Sequence, residues 1–384
     1  MRVAVVAEFY PSQRDPVLGV WAHRQALAAR EAGAEIQVYV LHRLVPSAAS
    51  VRSGGAAAQL WALARQPRCA TLDGLPVRYL PFVSPPRGRS YARWGSWAAP
   101  GLRRALRADG PFDLIHAHNA IPAGDAAVKA AATTPLVISV HGGDVLWTSS
   151  QVPAGRATVE RTLGAARLVV ANSAGIERLT HEHGANRTCV VHLGAEAPTA
   201  PAQRSPRPLL VTVGHLVARK RHADVIRALA ELPGVNYLVI GDGPERGRLA
   251  ALAQQLGVAE RVELAGALPP AEALRRIGEA WLYVMPSTAE AFGVAYIEAM
   301  AQGVPAIGAT GEPGPAEIAA AGGGIELVPP DAVPALAAAI DALLSDPARL
   351  KSSSQAARAT ATEHFSWRGC GEQTLAAYRE ALTP

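Results

Sequence analysis

Glu290 and Glu298 stand on either side of Gly293 in "EAFGVAYIEAMAQGVP", residues 290–305, where a loop turns into a helix. Val294, Ile297, Met300 and Ala301 recur at helical spacing, Gly303 suits the far cap and Pro305 forbids continuation, so the helix is predicted to open at Gly293 or Val294. The first N–H groups of a helix lack intrahelical partners and carry the positive end of its dipole, which suits a phosphate. Carboxylates there repel an anion unless they face hydrogen-bond donors, and sugar hydroxyls are donors. A sugar phosphate meets both demands. The alternative is a dipole partner at Glu290 and a solvated helix residue at Glu298. Spacing alone does not decide, because Glu372 and Glu380 repeat it in a run with no glycine-opened turn.

A second candidate is the basic loop His215 to His222, which follows a strand ending at Gly214 and precedes a helix predicted to begin near Ala223. Lys220, flanked by Arg219 and Arg221, has the charge to neutralise a diphosphate; the alternative is a solvated loop. "HGGDVLW", residues 141–147, puts His141 at a strand end before two glycines, where imidazole and backbone can approach a ligand, although a lone histidine also serves as a turn residue. "HAHN", residues 116–119, carries two histidines on one strand face; with no third metal ligand to join them they read as structural. Gly19 opens another helix directly after the first strand's loop. No G-x-G-x-x-G follows the first strand, "GDGPERG" at 241–247 misses that spacing, and there is no Walker loop.

These residues need strands to carry them. "RVAVVAEF", "EIQVYVL", "DLIHAH", "PLVISVHG", "RLVVANS" and "TCVVHLG" alternate with helical patterns, which predicts a parallel sheet wrapped by helices. The proline-rich "AEAPTAPAQRSPRP" then interrupts the pattern, and the alternation restarts with "PLLVTVGHL", "VNYLVIGDG", "RVELAGAL", "WLYVMPS", "VPAIGAT" and "GIELVP". The expected organisation is a first domain over 1–195, a linker over 196–208, a second domain over 209–364 and a terminal helix over 365–384 that crosses back to the first. Ligands of open parallel sheets bind beyond the carboxyl ends of the strands, and every candidate falls at such an end.

The 384-residue chain exceeds what one core comfortably fills, and 49% hydrophobic with 18% charged residues fits a globular α/β protein. A net charge of +5 favours anionic partners such as nucleotides or acidic lipid. The arginines are scattered and form no nucleic-acid module, so nucleic acid is not an expected partner. Three separated cysteines without a C-x-x-C pair fit a reducing cytoplasm. The apolar run before Glu8 is too short for a signal-peptide core, and no stretch reads as a membrane span.

With these pieces in order, the sequence resembles retaining glycosyltransferase family 4. "VGHLVARKRHADVIRAL", "IGDGPERGRLAALAQQLGV", "RVELAGAL", "MPSTAEAFGVAYIEAMAQGVPAIG" and "LVPPDAVPALAAAIDALLSD" occur in that family's order and spacing. The resemblance implies the GT-B fold, two facing Rossmann-like domains, and transfer of a sugar from a UDP- or GDP-linked donor to a glycan or lipid-linked acceptor, with retention and with neither metal nor cofactor. It also implies roles. Lys220 resembles the lysine on the donor diphosphate, Glu290 the acid on donor-sugar hydroxyls, and Glu298 the acid on the ribose. Phe292, Gly293 and Val294 would offer backbone N–H groups, with His141 near the transferred sugar and Gly19 near the phosphates. Where the family commonly has an arginine after the strand glycine, this chain has His215, so that the second diphosphate charge either comes from Arg219 or is weaker. Leu18-Gly19 replaces the usual double glycine. The opening stretch is similar to that of members that build cell-wall or capsular polymers, so polysaccharide biosynthesis is the expected setting. A sugar-nucleotide epimerase or a non-catalytic sugar-nucleotide-binding subunit would share the layout.

Residues 87–107 gather six arginines with Tyr91, Trp94 and Trp97 and no acid. One reading is a face that docks peripherally on the anionic inner leaflet of the membrane; the other is a solvated helix with ordinary core aromatics.

Overall fold

Every residue from Val3 to Ala7 is buried, because the strand that "RVAVVA" forms has neighbours on both sides and helices over both faces of its sheet. The computed structural model describes residues 1–12, 15–46, 48–131, 133–200 and 202–383. It divides into two units, one of residues 1–192 together with those from Arg368 onward, the other Leu193–Trp367.

In the first unit the strands are β1 (Arg2–Ala7), β2 (Glu35–Arg43), β3 (Cys69–Leu72), β4 (Leu75–Phe82), β5 (Leu114–His118), β6 (Leu136–Val140), β7 (Leu168–Ala171) and β8 (Thr188–Val190). Their order across the sheet is β3-β4-β2-β1-β5-β6-β7-β8. All neighbours pair in parallel except β3 and β4, a hairpin whose Asp73-Gly74 turn takes positive φ at both residues. Helix Val20–Glu31 leaves the β1 loop and buries Ala22, Ala26 and Ala29 on the sheet.

The second unit has β9 (Leu209–Val213), β10 (Asn236–Ile240), β11 (Val262–Gly266), β12 (Leu282–Val284), β13 (Ala306–Ala309) and β14 (Ile325–Val328). They pair in parallel in the order β11-β10-β9-β12-β13-β14, the doubly wound Rossmann arrangement. The order reverses between β9 and β12, so the loops that leave these two strands part to opposite sides and open a crevice at their carboxyl ends.

Residues 196–208, expected as a linker, belong to the second unit and are strapped to it. Arg358 Nη2 donates to Pro198 O at 2.7 Å, Ser205 N to Glu279 O at 2.8 Å, and Arg204 Nη2 to Ser354 Oγ and to Gly303 O. Pro201 lies outside the described residues. Proline blocks regular structure there without preventing side chains elsewhere from fixing the segment. Helix Trp367–Leu382 is grouped with the first unit: Gln25 Nε2 donates to Thr374 Oγ1 at 3.1 Å, and Tyr378 lies fully buried against His116.

The basic segment follows the second of its two readings as far as Tyr91 and Trp94 are concerned. Both are 3% exposed, with Arg87 and Arg43 stacked over their rings at 4.0 and 4.5 Å. They fill the core at the start of helix Trp94–Asp109 because their rings pack on each other, Trp94 packs on Phe82, and Trp94 Nε1 finds Ser90 Oγ at 2.9 Å. Trp97 alone of the three stays exposed, while Arg103, Arg104 and Arg107 line the outer face of that helix; the side chain of Arg89 lies outside the described residues. No helix among the described residues is long and apolar enough to cross a membrane.

Candidate functional site

Two loops meet at the switch point of the second unit. The β9 loop carries His215, Arg219 and Lys220, the last two in a single helical turn, Ala218–Lys220, that ends on Arg221 at φ 58°. The following helix, His222–Ala230, starts one residue before the expected Ala223. The β12 loop carries Ser287 to Glu290. Thr288 N donates to Arg219 O at 2.8 Å and fastens one loop to the other. Lys220 Nζ then lies 2.6 Å from Glu290 Oε2, both side chains about nine-tenths buried. Ser287 Oγ donates to the same carboxylate oxygen at 3.0 Å, and Arg219 Nη1 stands 3.9 Å away. Glu290 N donates to Glu312 Oε2 at 2.8 Å.

The helix predicted from "FGVAYIEAM" spans Val294–Ala301, and Gly293 is its N-cap. Gly293 takes φ 92°, and a Cβ there would lie 2.4 Å from the Tyr296 ring, so both conformation and space demand glycine. Ala289 accepts a left-handed φ of 54° without that excuse, a local strain at the loop that presents Glu290. Phe292 turns its side chain into the core against Phe365, which leaves its backbone as the part able to meet a ligand. Glu298 is half-buried in the second turn of the helix, and His215 is exposed at the start of the β9 loop.

The first unit gathers its candidates at the carboxyl ends of β1, β5 and β6. Gly19 caps helix Val20–Glu31 at φ 72°, and a Cβ on it would fall 2.2 Å from the Phe9 carbonyl, so the loop can close there only over glycine. Asp15 Oδ1 accepts from Leu18 N at 3.0 Å and shapes the approach. His116 has both ring nitrogens engaged, Nδ1 with Tyr378 Oη at 2.8 Å and Nε2 with Ser139 Oγ at 2.7 Å, a structural role. His118 differs: its Nδ1 meets His141 Nε2 at 3.0 Å with the rings stacked at 5.3 Å. His118 Nε2 and His141 Nδ1 are buried without a hydrogen-bond partner among the described residues. Burial lowers the pKa of His116 to about 3 and that of His141 to about 4, and takes His118 well below the ordinary imidazole value, so the cluster is neutral at physiological pH. Two neutral rings joined by one hydrogen bond leave one free N–H and one free lone pair between them.

Three residues beyond strand ends, two in the first unit and one in the second, escape sequence reasoning. Asp144 accepts from the N–H groups of Ala120 and Ile121 at 2.8 and 3.3 Å and ties the β6 loop to the β5 loop; burial still pushes its carboxyl up to about 6. Glu8, directly after β1, receives the Tyr91 hydroxyl at 2.7 Å, and burial pushes it up to about 7. Glu312 holds the backbone of Glu290. The signal for Asp144 was available in the aspartate that closes "HGGD"; for Glu8 and Glu312 only a spatial neighbour reveals the contact.

Residues 196–360 match the family described as glycosyl transferases group 1, and residues 18–197 match Glycosyltransferase Family 4. The chain is 30% identical over 348 residues to D-inositol 3-phosphate glycosyltransferase 1 of Catenulispora acidiphila, covering 81% of this chain and 82% of that protein. Another curated relative shares 42% identity over only 127 residues, 13% of its own length. Sucrose-phosphate synthase from Thermosynechococcus elongatus superposes with a TM-score of 0.78 at 21% identity, covering 99% of this chain and 98% of the other. Anabaena HepE, solved in complex with UDP and glucose, gives 0.71 at 21% identity, with 97% of each chain covered.

Proposed function

Since the chain belongs to the group 1 glycosyl transferases, enzymes of the GT-B fold, we propose that it moves a sugar from a nucleoside-diphosphate-sugar to an acceptor hydroxyl with retention of anomeric configuration. The observation that carries this reading is the Lys220–Glu290 pair beside the Gly293 helix start, at the switch point between β9 and β12. A cation, a glycine-opened helix end and a hydroxyl-seeking acid are the groups that a diphosphate joined to a sugar requires.

The chemistry follows from charge. Departure of the leaving group puts negative charge on the diphosphate while the anomeric carbon and ring oxygen become positive. Lys220, supported by Arg219, and the backbone N–H groups of Phe292, Gly293 and Val294 stabilise the first; they are preorganised and need no metal or other cofactor. Glu290 orients hydroxyls of the donor sugar and Glu298 those of the ribose. His141 is assigned to the transferred sugar and Gly19 to the phosphates. The acceptor hydroxyl attacks from the face the leaving group departs, and its proton passes to the donor phosphate.

The donor is UDP- or GDP-linked; the UDP held by Anabaena HepE supports the former. The acceptor is a glycan or lipid-linked hydroxyl in polysaccharide or glycolipid assembly, reached from the cytoplasmic side with Arg103, Arg104 and Arg107 facing anionic lipid. A thermal-shift panel of nucleoside diphosphates tests the donor: at 100 Kd a true ligand stabilises by about 2.7 kcal/mol. Proton NMR of the product reads the anomeric outcome, and inversion would overturn the mechanism.

A further inference from the structure

Glu8 is the residue at which β1 opens onto the carboxyl end of the first sheet, next to the point where strand order reverses between β1 and β5. Its Oε2 lies 2.7 Å from Tyr91 Oη, and the same hydroxyl lies 3.1 Å from the Ile121 carbonyl oxygen. A tyrosine hydroxyl has one proton, and a carbonyl oxygen only accepts. If Tyr91 donates to Ile121, the hydrogen between Tyr91 and Glu8 comes from Glu8, and the carboxyl is neutral. If Glu8 is ionised, Tyr91 swings its proton to Glu8 and no longer donates to Ile121 O. Both buried contacts are satisfied together only in the neutral form.

Burial favours that assignment, and most of the polar groups around Glu8 oppose it. Arg87, from the segment Arg87–Ser90, and Arg43, at the end of β2, favour the carboxylate, as does the Tyr91 hydroxyl; Asp144, behind β6, opposes it, and burial outweighs the cations. Glu8 remains half-buried, and no described residue bonds its second oxygen, Oε1. At the ends of the adjacent strands β5 and β6, His118 Nε2 and His141 Nδ1 are also unpartnered, one a donor and the other an acceptor. Both histidine atoms are closed off from solvent, so of these groups it is Oε1 of the half-buried Glu8 that is open to a hydroxyl, which gives one hydrogen bond and takes others.

We propose that Glu8 is an acceptor-binding residue: Oε1 accepts a hydrogen bond from a hydroxyl of a polyol acceptor, a sugar or a cyclitol, while Tyr91 holds Oε2. The assignment rests on the transfer reaction above. It has a consequence for pH, since a carboxylate accepts a hydrogen bond more strongly than a neutral carboxyl. Acceptor binding therefore tightens when Glu8 loses its proton, near pH 7. Glu8→Gln keeps an amide donor to Tyr91 and an oxygen in place of Oε1, and so mimics the neutral form at every pH.

The full chain is assayed with UDP-glucose and GDP-mannose as donors and glucose, mannose and D-inositol 3-phosphate as acceptors, from pH 6 to 8. Release of nucleoside diphosphate without acceptor reports donor turnover alone. In the wild type, acceptor KM falls about threefold to tenfold across this range; in Glu8→Gln it stays at the wild-type pH 6 value. Acceptor-free turnover is the same in both. An acceptor KM with the same pH dependence in both proteins overturns the proposal. Infrared difference spectra of wild type minus Glu8→Gln provide a second reading that needs no substrate: a neutral carboxyl band at pH 6 that converts to carboxylate through pH 7 is expected, and carboxylate already present at pH 6 overturns it. If no donor turns over in either protein, it is the donor reading that has failed, and the infrared result still decides the state of Glu8.

Discussion

Lys220 Nζ and Glu290 Oε2 lie 2.6 Å apart although 70 residues separate them in sequence, one on each side of the switch point of the second sheet. Glu290 holds the lysine where a donor diphosphate would need it, and the lysine holds Glu290 where a sugar hydroxyl would meet it.

Lys220→Ala is expected to lower kcat/KM about tenfold to 150-fold, since one charge-assisted bond to phosphate is worth roughly 1.5 to 3 kcal/mol. It also strands Glu290, with Ser287 as its remaining close partner, at a stability cost of roughly 1 to 3 kcal/mol. Lys220→Ala with Glu290→Gln should recover most of that stability in urea denaturation and none of the activity. Wild-type turnover in the single variant would refute the diphosphate role.

Gly293→Ala forces an L-residue to φ 92° and its Cβ onto the Tyr296 ring. The left-handed strain costs roughly 1 to 2 kcal/mol and the overpacking about as much again. Loss of donor binding should exceed the loss of stability, because the shift moves the helix start itself. Calorimetric titration with nucleoside diphosphate measures the first and urea denaturation the second.

Activity should survive EDTA, because Lys220, Arg219 and the helix start supply the charge that a divalent ion would otherwise bring. Activity lost on chelation and restored by Mg²⁺ or Mn²⁺ would contradict this.

The buried histidines set the acid sensitivity of the first unit. His116 and His141 have folded values of about 3 and 4, below the unfolded 6.5, so between pH 6.5 and about 4 the unfolded chain binds protons that the native one refuses. Stability falls on acidification by about 1.4 kcal/mol per pH unit for each. Glu8 has the opposite sign. Raised from 4.5 to about 7, its contribution is fully present below pH 4.5 and is lost as pH rises through 7. Glu8→Gln should therefore lose stability more steeply than wild type on going from pH 7 to 4.5, by up to about 1.4 kcal/mol per pH unit, in urea melts along that range.

With Tyr91 and Trp94 in the core, any hold of the 87–107 segment on a membrane is mainly electrostatic. Vesicles containing anionic lipid should co-sediment the protein at low salt, release it at high salt, and fail to bind it once Arg103, Arg104 and Arg107 are changed to Ser. Equal partition onto neutral vesicles would exclude this face as the docking surface.

The sequence by itself determined what is local. Apolar β-branched runs specified two sheets, the period of "VAYIEAM" and its leading glycine specified a helix start, and Gly19 specified another, because periodicity and left-handed backbone are written in neighbouring residues. Tertiary structure decided the meetings. Strand order brings β9 beside β12 and so Lys220 to Glu290; it brings β5 beside β6 and so His118 to His141, a pairing that the "HAHN" spacing did not disclose. Burial was likewise decided in three dimensions. The same arginine-flanked aromatics fit a membrane face or a core, and packing of Trp94 on Phe82 and of Tyr91 on Trp94 settled both as core. Glu8 is the extreme case: an unremarkable acid after a strand in sequence, it is pushed up to about 7 by burial and meets a tyrosine hydroxyl 83 residues away, neither of which its neighbours in sequence disclose.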